Sequence, residues 1–452
     1  MVQAAARPRV AHPARDLCLA PGRTVEAQLT EAGRYGRLFP DLPAATFDDD
    51  DALLALGMEH GVCDGTARDT DSHVEAGQPF FGQYVAHDLT ADRSPLRLHA
   101  DVDALRNLRS PRANLEALYG GGPVGSPYLY DQRDPVKLLV GADGRDLPRN
   151  QQGMALVGDP RNDVHAFMTA MQLAFIRAHN IVVDRLRDDG VPEAELFDDA
   201  RVALSWHYQW VILNDFLPTL VGDAMASSAL HDGLRFFHPV GEPFIPVEFA
   251  DAAYRYGHSQ IRRDYQLRPG GARYPMFPDL AGFRPLTPDH VVDWTLFFDL
   301  PGFPAAQRAK PIDGTLPLSL MRLPESITGV VELAAYHSLA ARDLQRGVGT
   351  GLPSGEAVAR AMGARPLSSD ELALGDWQGE TPLWLYILRE ADVRGGGDRL
   401  GEVGGRIVAE VLVGIVRSDP ESYLTNDPSW HPTFPAHEPG TFKIRDLLVP
   451  AN

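Results

Sequence analysis

The chain has 452 residues, of which 44% are hydrophobic and 23% are charged, proportions that are ordinary for a soluble globular protein. Its formal net charge of −19 argues against nucleic acid or an anionic membrane surface as a partner, because both carry negative charge. The two cysteines, Cys18 and Cys63, are too few for a disulfide framework and lack a zinc-binding spacing, which favours a cytoplasmic location.

The N-terminal segment, residues 1–25, is rich in small residues, proline and arginine and shows no period. It lacks the apolar run of a signal peptide, so we expect a mobile arm there. No linker divides the rest of the sequence, and residues 26–452 are therefore expected to form one domain. No run of 18 apolar residues occurs, so no membrane span is expected.

The first segment with potential chemistry is PFFGQYVAHDLTAD, residues 79–92. Pro79 suits the first turn of a helix, in which Gln83 and His87 are four residues apart and share one face. This polar pair lies among aromatic residues and is compatible with two interpretations. His87 is either a core histidine with a satisfied hydrogen bond or a group that faces a cavity.

The second segment, residues 157–180, contains Arg161 immediately before a long helical pattern. Apolar residues recur at helical spacing through residues 163–188, with Asn162 or Asp163 as the capping residue. Arg161 is either a surface group or a permanently charged group that stabilises a developing anion in a pocket.

Helical patterns also dominate the rest of the chain. Residues 194–222 and 400–417 are predicted helices, and the first is expected to end near Pro218. The 42 glycines and 37 prolines are spread along the chain, which indicates many helices joined by long ordered loops. Alternating strand patterns are scarce. The predicted fold class is therefore mainly α, in a single large domain with little β structure.

The third segment is AAYRYGHSQIRRDY, residues 252–265, which contains His258. A lone histidine in such a segment is either structural or a ligand of a metal or haem iron. The sequence contains no GxSxG elbow, P-loop, dinucleotide-binding fingerprint or HExxH motif. The absence of these motifs argues against a serine hydrolase, a P-loop NTPase, a dinucleotide-binding enzyme and a zinc metalloprotease.

Four motifs, taken in order, resemble those of the animal haem peroxidase family, in its bacterial branch. The distal GQ-x-x-x-H-D motif of that family is matched by residues 82–88, and its G-D-x-R motif by residues 158–161. The proximal R-[YF]-G-H motif is matched by residues 255–258, and a Q-R-G segment by residues 345–347. The resemblance covers roughly residues 35–450 and implies a helical haem peroxidase fold.

The resemblance implies haem b, with His258 as the single protein ligand of the iron. His87 would act as general base and then general acid towards hydrogen peroxide. Arg161 would stabilise the charge that develops as the O–O bond breaks, and Gln83 would order water or an anion. The implied function is a peroxidase that uses hydrogen peroxide to oxidise a small organic donor, such as a phenol.

The resemblance also assigns roles on the proximal side. Arg255 and Arg346 match family positions that pair with the haem propionates. Asp343 matches the asparagine that accepts a hydrogen bond from the proximal histidine. An anionic partner gives that imidazole more imidazolate character and lowers the reduction potential, so chloride oxidation is not expected.

A calcium site is implied as well. Asp88, beside the distal histidine, matches a family ligand. The loop positions that accompany it fall at Ser110, Arg112 (through its carbonyl), Asn114 and Glu116. Oxygen donors of this kind suit Ca²⁺, although the family more often has carboxylate, Thr and Ser there.

The sequence departs from the family pattern at four further positions. The two carboxylates that form ester bonds to haem in mammalian members are replaced by Ala86 and Val164, and the methionine of sulfonium-linked members by His165. We therefore expect non-covalent haem. Arg255 stands where cyclooxygenase-type members have tyrosine, which argues against fatty acid oxygenation, although Tyr254 flanks it.

Three alternatives remain open on the sequence. The same haem would serve a biosynthetic tailoring oxidase with one dedicated metabolite, or a fatty acid dioxygenase. A non-catalytic haem-binding protein would show damage at His87, Arg161 or His258, and all three residues are present.

Overall fold

The computed structural model describes residues 33–451 apart from 48, 67–69, 92–100, 240 and 242. The arm predicted for residues 1–25 lies outside the described residues. One continuous hydrophobic core includes residues from Tyr35 to Leu448, and the chain therefore forms the single, mainly helical domain predicted from the sequence.

Seven α-helices of eight or more residues organise the described part of the chain. They are α1 (Gln78–Leu89), α2 (Ala166–Asp188), α3 (Leu196–Val211), α4 (Leu339–Gly349), α5 (Gly355–Met362), α6 (Leu383–Gly395) and α7 (Glu402–Ser418).

Shorter helical segments connect them. The short α-helices are Asp50–Leu56, Glu116–Tyr119, Gly122–Gly125, Leu217–Val221, Asp223–Ser227, Val247–Ala250, Leu318–Met321, Glu325–Thr328, Ser369–Leu372, Tyr423–Asn426 and Ile444–Leu448. The 3₁₀ turns are Val102–Ala104, Pro127–Leu129, Pro160–Asp163, Ala253–His258, Pro288–His290, Trp294–Leu296 and Ala334–His337, and the π turns are Ile212–Phe216 and Ser228–Asp232.

Helix α2 is the central helix and packs against α1 and α3. The predicted helix over residues 163–188 is present, but it begins at Ala166. The prediction that Asn162 or Asp163 caps it is wrong, because both belong to the preceding 3₁₀ turn. His165 has extended backbone and its ring accepts the Met168 N–H, so the cap is a histidine side chain.

The helix predicted for residues 194–222 is present, and its helical path runs three residues beyond Pro218, near which it was expected to end. Helix α3 continues through the π turn Ile212–Phe216 into Leu217–Val221. The Leu217 N–H donates to Ile212 O, five residues earlier, so the hydrogen-bond pattern has already shifted before Pro218. The wider turn accommodates the missing proline N–H, and the helical path ends instead at Gly222, where φ is +83°.

Helix α7 confirms the helix predicted for residues 400–417 and is almost wholly buried. Two glycines let it approach its neighbours closely. A Cβ atom on Gly404 would lie 2.4 Å from Ile387 on α6, and one on Gly414 would lie 2.3 Å from the Phe237 ring. These contacts explain why small residues are required inside this helix.

β structure is confined to two short pairs among the described residues. They are β1 (Tyr35–Gly36) parallel to β2 (Ile245–Pro246), and β3 (Asp264–Gln266) antiparallel to β4 (Arg273–Pro275). Helix α2 is long and apolar enough to cross a membrane, but 83% of its most apolar window is buried within the protein. A central core helix has the same properties.

Candidate active site

Helix α1 carries Gln83 and His87 into the interior, where His87 is only 7% exposed. The His87 Nδ1 lies 2.8 Å from Asn162 Oδ1, and Asn162 Nδ2 donates to Gln172 Oε1 at 2.8 Å. The Tyr84 hydroxyl also donates to Gln172 Oε1, at 3.2 Å. Because Asn162 donates through its nitrogen, its oxygen accepts, and the proton of neutral His87 resides on Nδ1.

The resulting tautomer leaves the Nε2 lone pair of His87 available. This Nε2 has no hydrogen-bond partner in the part of the chain that the structure describes. Burial, with a smaller contribution from the positive charge of Arg161, lowers the pKa of His87 to about 3. The imidazole is therefore neutral at neutral pH and can accept a proton at Nε2.

Arg161 is fixed beside the end of α1. Its Nη2 donates to the carbonyl oxygens of His87 at 3.0 Å and Thr90 at 2.6 Å. The same nitrogen donates to Asp159 at 2.8 Å, and Asp159 also caps the 3₁₀ turn by accepting the Arg161 N–H. Nη1 makes no hydrogen bond to the described residues, so part of the guanidinium remains available to an anion.

His165 is a distal residue to which sequence reasoning gave no catalytic role. Its Nδ1 accepts the Met168 N–H, so its Nε2 carries the proton and donates to Gln83 Oε1 at 2.9 Å. The amide nitrogen of Gln83 is then directed away from His165 as a donor. Burial, with a smaller contribution from nearby His87, lowers the pKa of His165 to about 3. Its sequence signals were its position before a long helix and its place at the methionine position of sulfonium-linked family members.

On the proximal side, His258 ends the 3₁₀ turn Ala253–His258. Its Nδ1 lies 2.6 Å from Asp343 Oδ2 on α4, and Asp343 is completely buried. The other carboxylate oxygen of Asp343 accepts from Arg255 Nη1 at 2.9 Å. The structure thus brings together the two residues that the sequence paired, and His258 Nε2 has no hydrogen-bond partner among the described residues.

Arg255 is engaged differently from its predicted role. Its Nη2 donates to Asp251 at 3.1 Å and its Nε to the Ala250 carbonyl at 3.0 Å, in addition to the Asp343 contact. These acceptors direct the guanidinium towards the proximal carboxylates. Arg346 lies on α4, three residues after Asp343, and is half-buried. A propionate partner for either arginine remains a prediction.

These residues fit a haem held by one protein ligand. His87 on α1 and His258 on the 3₁₀ turn come from two elements in contact, and each presents an Nε2 without a protein partner. His258 is the tautomer that a metal requires, since its Nδ1 proton is held by Asp343. At Gly257 a Cβ would meet only Pro79, at 4.0 Å, so the backbone beside His258 is open towards α1.

Asp88, the first predicted calcium ligand, is hydrogen-bonded to the backbone of the loop that follows it in the chain. The Asp88 carboxylate accepts the Leu115 N–H at 3.0 Å and the Ala117 N–H at 3.3 Å. Leu115 adopts a left-handed φ of +61° that turns the loop around this carboxylate. Burial raises the pKa of Asp88 to about 7. Both oxygens of the proposed first ligand are therefore used by backbone donors.

The other proposed ligands bind each other. Glu116 accepts both the N–H and the O–H of Ser110, at 3.0 and 2.6 Å, and Asn114 Oδ1 accepts the Glu116 N–H at 3.1 Å. The predicted ligand at Arg112 is its backbone carbonyl, and its side chain is directed towards Asp419, with 3.8 Å between charged atoms. No group of three or more His, Cys, Asp or Glu residues in the described ranges is arranged to hold a metal. The residues present do not fit the predicted calcium ion, because protein donors use the side-chain oxygens of Asp88, Asn114 and Glu116.

Comparison with known proteins gives a consistent result. Residues 98–372, more than half of the chain, match the sequence model of a family described as animal haem peroxidase. The chorion peroxidase of Drosophila melanogaster is 26% identical over 322 residues, which cover 66% of this chain but only 39% of that protein. The chain thus spans about two fifths of the length of that relative.

Two solved structures have the same fold. Peroxidase A from Dictyostelium discoideum superposes with a TM-score of 0.59 at 14% identity and covers 87% of both chains. The fatty acid alpha-dioxygenase of Oryza sativa superposes with a TM-score of 0.60 at 16% identity, over 85% of this chain and 77% of that one. At these identities the likeness establishes the fold and leaves the reaction open.

Proposed function

Because the chain belongs to the animal haem peroxidase family, we propose that it is a haem-dependent peroxidase, which reduces hydrogen peroxide to water with two electrons taken from small organic donors such as phenols. The observation that carries the proposal is the pair of imidazole Nε2 atoms, of His87 and His258, that have no protein partner and lie on two packed elements. Haem bound by His258 would supply the iron and its redox chemistry.

His87 performs the proton transfer. With haem bound to supply the electrons, its neutral Nε2 would take a proton from hydrogen peroxide and return it to the departing oxygen, which would leave as water. The chain from His87 through Asn162 to Gln172 keeps the other ring proton on Nδ1, so Nε2 remains the acceptor. The low pKa of His87 keeps it competent as a base in mildly acidic solution.

Arg161 and Gln83 supply the positive and polar groups around this base. Arg161 is tied to the end of α1, so its charge stays fixed beside His87. Charge fixed in advance stabilises negative charge on the separating oxygen atoms without reorganisation. Gln83, whose oxygen is held by His165, offers amide N–H donors to water or peroxide.

Asp343 governs the proximal ligand. A carboxylate 2.6 Å from His258 Nδ1 strengthens the basicity of the imidazole and favours higher oxidation states of a bound metal. We propose a reduction potential below that of halide-oxidising relatives and, with it, no efficient chloride oxidation. Arg255 shares the charge of Asp343 and moderates this effect.

Three further statements belong to the proposal. Haem is held without covalent bonds, which is supported by Ala86 and Val164 at the family's ester positions. A cytoplasmic location is supported only by the low cysteine content. Calcium is not part of the proposal, because protein donors use the carboxylate oxygens of Asp88 and Glu116.

The test uses the full chain loaded with haem, hydrogen peroxide and guaiacol as a phenolic donor. His87→Leu should lower the rate of donor oxidation by about 10²–10⁴-fold, the usual contribution of a general acid–base group. His73→Gln, at a surface histidine whose side chain is 95% exposed, is the matched control and should leave the rate unchanged. Oxidation no faster than with free haem would contradict the proposal. Peroxide-independent oxygen uptake with palmitic acid would favour the dioxygenase alternative.

A further inference from the structure

Arg109 lies within the loop that was predicted to bind calcium. Its side chain is 13% exposed, and its Nη1 is 3.6 Å from Glu116. Its Nε and Nη2 donate to Asp159 Oδ2 at 3.1 and 2.6 Å, and Nη2 also donates to the Gly158 carbonyl at 3.1 Å. One guanidinium therefore joins this loop to the segment that precedes Arg161.

Asp159 carries the connection onwards. The carboxylate is 2% exposed and accepts from Arg109 on one side and from the backbone and side chain of Arg161 on the other. Arg161 in turn donates to the carbonyl oxygens of His87 and Thr90 at the end of α1. A continuous series of charged groups therefore connects Glu116 to the end of helix α1.

Two of the three carboxylates in this region are paired with guanidinium groups, whereas Asp88 accepts two backbone N–H groups and burial raises its pKa to about 7. The carboxylates of Glu116 and Asp159 face the guanidinium groups of Arg109 and Arg161. A guanidinium has five N–H donors in a fixed plane, and it can link several oxygens as a bound cation would. Unlike calcium, it needs neither seven oxygen ligands nor external supply.

We propose that Arg109 is the built-in cation of this loop, taking the place of a divalent ion, and that it positions Arg161 through Asp159. The loop then holds its shape in the absence of calcium. Arg109 is a positioning residue, since it touches Asp159 and not the reacting atoms. Its effect on catalysis rests on the proposed function, whereas its effect on the loop does not.

The structural part is tested by thermal unfolding and calorimetry of the full chain, with Arg109→Gln, Arg109→Lys and the control Arg145→Gln. Arg145 is a surface residue, 63% exposed, with its partner Asp143 at 3.9 Å. The melting temperature of the wild type should change by less than about 1 °C with EDTA or millimolar CaCl₂, and calorimetry should detect no calcium binding. Arg109→Gln should melt about 5 °C lower because the buried Asp159 carboxylate then keeps Arg161 as its one guanidinium partner among the described residues.

Arg109→Lys keeps the positive charge but loses the planar guanidinium that donates to two acceptors at once. Its melting temperature should fall between those of the wild type and Arg109→Gln. Arg145→Gln should match the wild type. The inference is overturned if calcium binds and raises the wild-type melting temperature, if EDTA lowers it, or if Arg109→Gln melts as the wild type does. These readouts need no peroxidase activity, so they distinguish failure of this inference from failure of the proposed function.

The positioning role is tested by a double-mutant cycle on the rate of reaction with peroxide. Arg109→Gln should slow that reaction about tenfold in the wild-type background, and by less than about twofold when Arg161 is already glutamine. Arg109→Lys should recover part of the rate. Equal effects in the two backgrounds would mean that Arg109 does not act through Arg161.

Discussion

The protonation state of His87 is set by its surroundings at the scale of a single side chain. Burial and the neighbouring Arg161 charge both disfavour the imidazolium form, which lowers its pKa to about 3. Asn162 fixes which ring nitrogen keeps the proton. A histidine in water, with a pKa near 6.5, would lose most of its function as a base at pH 5.

The pH dependence of the peroxide reaction follows from this shift. A base whose pKa is lowered is active above the lowered value, so the rate should be nearly the same at pH 7 and pH 5. A base with an ordinary histidine pKa would lose about 30-fold over that interval. Stopped-flow rates of the haem-loaded enzyme measure the difference, and an acid limb centred near pH 6.5 would contradict the assignment.

Asp343 is the residue expected to set the reduction potential. Asp343→Asn replaces an anion that accepts the His258 proton by a neutral acceptor, which reduces the electron donation from the imidazole. We expect the midpoint potential of the ferric–ferrous couple to rise by about 60 mV or more, equivalent to about 1.4 kcal/mol for one electron. Spectroelectrochemical titration measures it.

Asp251→Asn is the matched control, because Asp251 contacts Arg255 but not His258. The midpoint potential of Asp251→Asn should differ from that of the wild type by less than half of the shift expected for Asp343→Asn. Equal shifts in the two variants would show that only the local charge, and not the hydrogen bond to His258, determines the potential.

Sequence reasoning found the residues that belong to motifs and missed those that reach the site from a distance. Gln83, His87, Arg161 and His258 stand in recognisable local patterns. Gln172 lies 85 residues after His87 and enters only through the fold. The Asn162 and His165 contacts depend on the 3₁₀ turn before α2, which the helical pattern does not specify.

At the scale of single elements, two helix boundaries differ from those that residue type predicts. Pro218 predicts a helix end from its missing N–H, but the preceding π turn lets the helical path continue to Val221. His165 replaces the usual oxygen-bearing cap of α2 with a ring nitrogen. In both cases the existence of the helix was predicted correctly, whereas its boundary depended on a geometry that the residue type alone does not encode.

Helix α7 provides a prediction about packing. Gly414→Ala places a methyl group 2.3 Å from the Phe237 ring, which is 1% exposed. The substitution should lower the free energy of unfolding by about 1–3 kcal/mol, although alanine favours helix formation. Chemical denaturation monitored by circular dichroism measures the change.

Gly395→Ala, at the end of α6, is the matched control. The added Cβ would have its closest neighbour at 3.8 Å, so helix propensity alone should make the variant equal to or slightly more stable than the wild type. If both variants were equally stable, the close approach of α7 to Phe237 would not be a constraint on the fold.

At the scale of the whole molecule, the sequence predicted the fold class but not the course of the loops that connect the helices. Scattered prolines and glycines and repeated helical patterns predicted a mainly α domain, and the order of four motifs between Gly82 and Gly347 identified the family. The course of the loops was not predictable. The contact of Asp343 on α4 with His258 spans 85 residues, and it was predicted through the family resemblance and not from any local pattern.

The haem of the loaded protein is expected to be held without a covalent bond. Neither Ala86 nor Val164 has a carboxylate for an ester bond, so we expect acidified butanone to extract all of the haem. A denaturing gel stained for haem should then show no haem that migrates with the 49.4 kDa chain. Haem that stays with the chain after both treatments would contradict a non-covalent site and require another attachment residue.

The central claim, that this chain binds haem through His258 and activates peroxide at His87, is tested most directly by the visible spectrum of the haem-reconstituted protein. We predict a Soret band near ~400–410 nm in the wild type that shifts on addition of one equivalent of hydrogen peroxide. His258→Ala should abolish that band, while His87→Leu should keep it and lose the rapid shift. A wild-type protein that takes up no haem, or a Soret band that peroxide leaves unchanged, would contradict the account.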